Sequence, residues 1–212
     1  MESNLLQKLG SKEITKSQLY QQVEKNFGLL PELVEGTSSS KASVRYGCGS
    51  VLMDLSEKYP QKLYPYMDEF VGLLDSKYRI LTWNAMAIIA NLTSVDADRK
   101  FDAVFDKYYG FLNDEYMVTV ANVVGNSAKI ANAKPYLAKK ITAELLKVEN
   151  LSLTPHLTEE CKRVIAESAI RTFNAYFDLI EDKELVLAFA RKHQDSSRIS
   201  LRKEAQNILK RL

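Results

Sequence analysis

Apolar residues fall at helical spacing over most of this chain. In 43–55, Val51 and Leu55 follow the small residue Cys48 at +3 and +7, offsets that lie on one face of a helix. The same frame recurs where Ile88 and Leu92 follow Ala85, and where Ile208 and Leu212 follow Ala205. Weaker copies place Ile130 seven residues after Val123, and Phe173 and Tyr176 after Ala169. The small-residue anchors at 48, 85, 123, 169 and 205 are 37, 38, 46 and 36 residues apart. A fixed period of this length marks a helical repeat. The one long gap contains 147–156, where the helical period stops and Asn150, Ser152, Thr154 and Pro155 cluster, predicting a loop insertion near 149–157.

A second marker runs between the anchors. Pro31, Pro65 and Pro135 each open an apolar stripe, at separations of 34 and 70 residues. Proline is tolerated in a first helical turn, where its missing N–H would lack a partner anyway. Where the series skips a proline, Phe101, Val104, Phe105 and Tyr108 continue the stripe. Each repeat therefore reads as two helices, the second often opened by proline. Thr15 and Gln18 form a candidate capping box before Leu19, Val23, Phe27 and Leu30. Helix pairs follow at 41–58 with 61–74, 77–93 with 98–112, 114–131 with 134–148, and 158–179 with 182–193, then a last helix over 198–211. Polar hinges separate them, and their Ser, Asp and Asn residues are expected to cap the helices that follow. One pair cannot bury its own apolar face, so stacked pairs are expected to form one continuous core in a single domain over 1–212, with a long exposed concave surface.

Two signatures resemble the HEAT repeat, a helical-hairpin family related to armadillo repeats. Val44-Arg45-Tyr46-Gly47-Cys48 and Leu201-Arg202-Lys203-Glu204-Ala205 resemble its hydrophobic-Arg-x-x-Ala helix, and Leu30-Pro31-Glu32-Leu33 and Tyr64-Pro65-Tyr66-Met67 its proline-led helix. The resemblance covers about residues 16 to 212. It implies an all-α, right-handed α–α superhelix of about five hairpins plus a terminal helix. It also implies that the proline-led second helices line the concave face, and that the protein binds protein or nucleic acid, usually without catalysis.

Composition fits this picture. The 212 residues contain five prolines and eight glycines, too few for the frequent turns of an all-β fold. With 29 basic and 27 acidic residues, net charge is +2, so the large excess that a dedicated nucleic-acid binder uses against phosphates is missing. Cys48 and Cys161 form neither a disulfide framework nor a zinc spacing, and both are expected in the core. Residues 1–6 have no basic head or apolar segment, so a signal peptide is not expected, and a cytoplasmic setting is. The longest apolar run, 85–90, is far short of the ~20 residues of a membrane span.

Candidate chemistry is sparse. Gly47 and Gly49 flank Cys48 inside a predicted helix with no lysine following, which suits close packing better than phosphate binding. His156 and His193 are isolated and read as surface residues, and no cofactor or metal is expected. Trp83, the sole tryptophan, reads chiefly as a core or inter-repeat contact. Asp102 and Asp106, four residues apart, share a face of a second helix. Eleven tyrosines are many for this length, and Tyr66 and Tyr108 are candidate interface anchors. Lys134, Lys139 and Lys140 form one basic cluster; Arg191, Lys192, Arg198, Arg202, Lys203, Lys210 and Arg211 form another, which a polar capping helix explains best. The leading expectation is a non-enzymatic scaffold binding a protein along Tyr66, Asp102, Asp106, Tyr108, Lys139 and Lys140. The alternative is a nucleic-acid-binding HEAT-like protein, similar in architecture to alkylpurine DNA glycosylases. A repeat-type accessory to a cofactor lyase is a more distant third.

Overall fold

The computed structural model describes residues 4–211. Leu212, which completes the 205 frame, lies outside them, as do Met1, Glu2 and Ser3 of the amino-terminal stretch. Among the described residues there are helices and turns and one isolated bridge, between Thr154 and Leu157. The chain divides into two compact units, Met1–Val104 and Phe105–Leu212.

The first unit contains α1 (Asn4–Gly10), α2 (Lys16–Lys25), α3 (Leu30–Gly36), α4 (Ala42–Lys58), α5 (Pro60–Leu63), α6 (Met67–Leu73) and α7 (Arg79–Leu92). The division falls inside α8 (Lys100–Gly110). The second unit continues with α9 (Met117–Ala133), α10 (Ala138–Leu146), α11 (Glu159–Ala175), α12 (Lys183–Arg191) and α13 (Ile199–Leu209). Long helices carry the small-residue anchors and pack directly on one another, α4 on α7 in the first unit, α9 on α11 and α11 on α13 in the second. Cys48, Ala85, Val123, Ala169 and Ala205 are all buried. Within each unit the short helices pack on the long ones, α3 on α4 and α6 on α7 in the first, α10 on α9 and α12 on α13 in the second.

Proline shapes the short helices more than its role at a helix start predicts. The expected helix over 61–74 is split into α5, a 3₁₀ turn at Tyr64–Tyr66, and α6. Pro65 has no N–H to donate, and its ring crowds the carbonyl four residues back, so a regular helix cannot pass through it. Similar 3₁₀ turns at Phe27–Leu29 and Pro135–Leu137 lead into α3 and α10. The repeat pattern gave no sign of α1; its Leu6 and Leu9 are buried, and the helix packs on α4.

The capping box before α2 is present: Gln18 N donates to Thr15 Oγ1 at 3.2 Å, and Thr15 N to Gln18 Oε1 at 2.9 Å. The hinge residues behave otherwise than expected. Ser39, Ser76, Asp114 and Ser196 accept from the N–H two residues on, that of Lys41, Tyr78, Tyr116 and Arg198. Those four donor N–H groups belong to the N-cap residues of α4, α7, α9 and α13, whose own side chains make no cap bond. The short polar side chain thus closes a turn ahead of the helix. The arginine of the repeat signature secures the same turn. Arg45 Nη1 donates to Ser39 O at 2.7 Å, and Arg202 Nη1 to Ser196 O at 2.9 Å, each six residues upstream.

The segment 151–158, between a 3₁₀ turn at Lys147–Asn150 and the start of α11, is ordered against α9. Thr154 Oγ1 donates to Glu115 O at 2.7 Å, Met117 N donates to His156 O at 3.3 Å, and the His156 ring stacks on Tyr116 at 4.2 Å. His156 therefore helps the insertion hold the start of α9. Cys48 is in the core as expected, but Cys161 is only half-buried, because the first turn of α11 extends past the packed layer, where Thr158 caps it.

Candidate functional site

Each long helix leaves one stripe facing solvent, because its other faces are taken by neighbouring long helices and by the short ones. On α4 the stripe is Tyr46, Ser50, Met53 and Glu57; on α7 it is Ile80, Trp83, Ala87 and Asn91. These residues recur every three to four positions, the spacing of a single helix face. Trp83 is half-buried on this open face rather than sealed in the core. Asn91 Nδ2 donates to Ser56 Oγ at 2.8 Å, joining α7 to α4. In the second unit α9 presents Asn122, Asn126 and Lys129, and α11 presents Val164, Ser168 and Arg171. Asn122 and Asn126 donate their side-chain N–H groups to Val118 O and Asn122 O, one turn back in the same helix.

The residues expected to contact a partner lie on the short helices and meet different fates. Tyr108 is fully buried, with no surface left for a partner, since the apolar face of α8 turns it into the core; burial pushes its hydroxyl well above the usual tyrosine range. Tyr66 and Asp102 are half-buried, and Asp102 lies 3.7 Å from Arg99 Nε. Asp106 is exposed and paired with Lys140 at 2.8 Å, while the Lys140 ammonium also sits 3.9 Å above the Phe105 ring. Lys139 reaches Glu181 at 2.9 Å across the mouth of a cavity of about 410 Å³ between α10 and α12, floored by Ala143, Leu146, Ile180 and Leu185. Exposed pairs of this kind contribute roughly 0–1 kcal/mol each.

The carboxyl-terminal basic cluster is largely neutralised. Arg191 pairs with Glu184 and Lys192 with Glu149. Arg198 bridges Glu160 at 2.7 Å and Glu167 at 2.6 Å, and Arg211 binds Asp178 at 3.0 Å. Arg202, Lys203 and Lys210 remain as the members of this cluster with no ion pair among the described residues, a small charge to set against a phosphate backbone. Arg191 and Glu184 share α12, but the other partners come from distant segments of the chain, so their pairing was not visible from sequence.

Among the described residues no group of three or more His, Cys, Asp or Glu could hold a metal ion, and no helix is long and apolar enough to cross a membrane. His193 lies at the end of α12 against the edge of Phe189, and burial holds its imidazole below the usual histidine value.

No protein-family model matches the sequence, and no curated protein matches it. Solved structures do. A designed armadillo repeat protein is 21% identical with a TM-score of 0.61, covering 97% of this chain and 90% of that one. A second designed armadillo repeat protein, solved in complex with the peptide (KR)4, is 19% identical with a TM-score of 0.64 at the same coverage. An engineered protein is 17% identical with a TM-score of 0.52, covering 97% and 86% of the two chains. These likenesses show the fold, which is all-α and built from armadillo-like, HEAT-like helical repeats.

Proposed function

We propose that the chain is a non-catalytic scaffold that binds a protein partner in extended form along the exposed stripes of its long helices. One observation carries the reading. Aromatic, amide and hydroxyl side chains, Tyr46, Ser50, Trp83 and Asn91, repeat along two adjacent long helices that face solvent. Such a row offers flat contact area from the rings and hydrogen bonds for a partner's backbone. One of the similar solved structures is in complex with a peptide, which supports the same mode for this chain. Asp106, Lys139 and Lys140 supply a second, charged rim on the short helices, and Tyr66 and Asp102 are half-open beside their own helices.

Panning a random peptide library against the folded chain tests this. Enriched peptides should lose about fivefold or more in affinity on Trp83→Ala, the loss of a contact worth over ~1 kcal/mol, with the urea midpoint little changed. Loss on Lys139→Ala and Lys140→Ala instead would move the interface to the short helices. A library that enriches nothing against a folded chain would end the scaffold reading.

A further inference from the structure

The turn between α1 and α2 faces the amino-terminal end of α4 across a cleft of about 510 Å³, within the ~300–1,000 Å³ of ligand-binding clefts. Leu9, Ile14 and the Tyr46 ring make an apolar floor, and Lys12 and Lys16 line the wall. The Lys41 ammonium is close by, 3.7 Å from where a Cβ on Gly10 would stand. Among the described residues no carboxylate lines the cleft. Glu13 is held by the Ser11 hydroxyl at 2.8 Å, and Asp54 of α4 is the acid within electrostatic reach of Lys16.

All three lysines stand where local physics disfavours them. Lys12 has φ 66°, the left-handed region that a glycine adopts without strain. It closes the end of α1: Lys12 N donates to Leu9 O and Glu13 N to Lys8 O, the pattern that usually places glycine at this position. Lys16 is the first residue of α2 and Lys41 the N-cap of α4, and neither helix has an acidic residue in its first turn. A cation at the positive end of a helix is unfavourable. Departures from local preference concentrate where a chain does something besides fold.

We infer that this cleft receives an extended segment of a partner protein in which an apolar side chain is flanked by aspartate or glutamate. The apolar side chain fills the space between Leu9, Ile14 and Tyr46, and the carboxylates meet Lys12 and Lys16. The inference rests on the scaffold reading for the kind of partner, and adds a place and a charge.

Fluorescein-labelled acetyl-Glu-Leu-Glu-Leu-Glu-amide, its Lys-Leu counterpart and its Glu-Ser counterpart, titrated against the full chain at low salt, test it. The Glu-Leu peptide should bind about tenfold more tightly than either of the others, since charge and apolar contact both contribute. Amide resonances of Leu9, Ile14 and Tyr46 should shift on binding. The double variant Lys12→Glu, Lys16→Glu should abolish binding with an unchanged circular dichroism spectrum. Lys12→Gly should raise Tm by relieving the backbone while weakening the peptide. Equal binding of the three peptides, binding that survives the double reversal, shifts confined to other helices, or a single-stranded oligonucleotide that binds more tightly and displaces the peptide would each overturn the inference. Library peptides that depend on Trp83 while the Glu-Leu probe fails would leave the scaffold reading standing and remove this one. A Glu-Leu peptide bound in the cleft with nothing enriched on the stripes would do the reverse.

Discussion

The contact of α4 with α7 and that of α11 with α13 join successive long helices by different means. The first relies on shape. Gly49 of α4 lies so close to α7 that a Cβ there would stand 2.7 Å from Asn84 Nδ2 and 2.8 Å from Leu81 Cδ2. The second relies on charge. The buried Glu167 carboxylate of α11 accepts from Ser200 Oγ and Arg198 Nε, both at 2.6 Å, and pairs with Arg171; Arg171 in turn reaches Glu204 of α13 at 2.9 Å. α4 has helices packed on several sides and can seal a dry contact. The edge of the α11–α13 contact stays near water, with Arg171 exposed and Arg198 partly so, and there ionised groups keep much of their solvation. A repeat thus specifies which helices meet, while the residues available at each position decide whether packing or ion pairing holds them.

Overfilling the shape-based contact should have the largest effect. Gly49→Val places two methyl groups where one Cβ already collides, and about 3 kcal/mol should be lost in urea unfolding. A variant within ~0.5 kcal/mol of the parent would show that the contact is looser than its geometry indicates. Next comes Arg45, which is buried, donates to Ser39 O and lies 3.6 Å over the Tyr78 ring. Arg45→Ala should lose about 2 kcal/mol, whereas Arg202→Ala, at the same register on α13 but half-exposed and with no ring over it, should lose roughly 0.5 kcal/mol. Equal losses would mean that the carbonyl contact alone matters.

Glu167→Gln should destabilise by about 1–2 kcal/mol at neutral pH, because hydrogen bonds to a charged group are replaced by weaker ones. Burial opposes ionisation of Glu167, but Ser200, Arg198 and Arg171 outweigh it and hold the carboxyl below its ordinary value of 4.5. A carboxyl lowered by folding stabilises fully above that ordinary value, and its contribution is lost as pH falls through the folded value. Unfolding measured across that acid range should therefore fall more steeply in the parent than in Glu167→Gln, and parallel curves would contradict the assignment. The smallest effect is that of salt. At about 1 M, where screening acts within roughly 3 Å, amides of α13 should exchange faster while those of α7 do not change.

Local features were legible in the chain. The Thr15 and Gln18 pair formed its capping box, and Arg45 and Arg202, singled out by the repeat signature, make the same contact six residues back. Both depend on neighbours within a few positions, so spacing is enough to find them. Tyr108 was misjudged for the opposite reason. Tyrosine suits either a core or a surface, and only the packing of α8 shows which. Ser39, Ser76, Asp114 and Ser196 were correctly read as local hydrogen-bond acceptors, but they stand two residues ahead of the N-cap positions expected for them. The cleft above Leu9 and Ile14 could not be read at all, since α1 stands outside the repeat and meets α4 only after folding.

The sequence by itself determined an all-helical chain, its repeat period and the capping box before α2, because these follow from spacing along one helix and from short polar side chains a few residues from their partners. Tertiary structure alone decided which stripe of each long helix stays open, which arginines are consumed by Glu160, Glu167 and Asp178, and how the insertion is pinned to α9 through Thr154 and His156. Those outcomes depend on pairs of residues brought together from more than thirty positions apart, and at that distance neither burial nor ion pairing is a property of either residue alone.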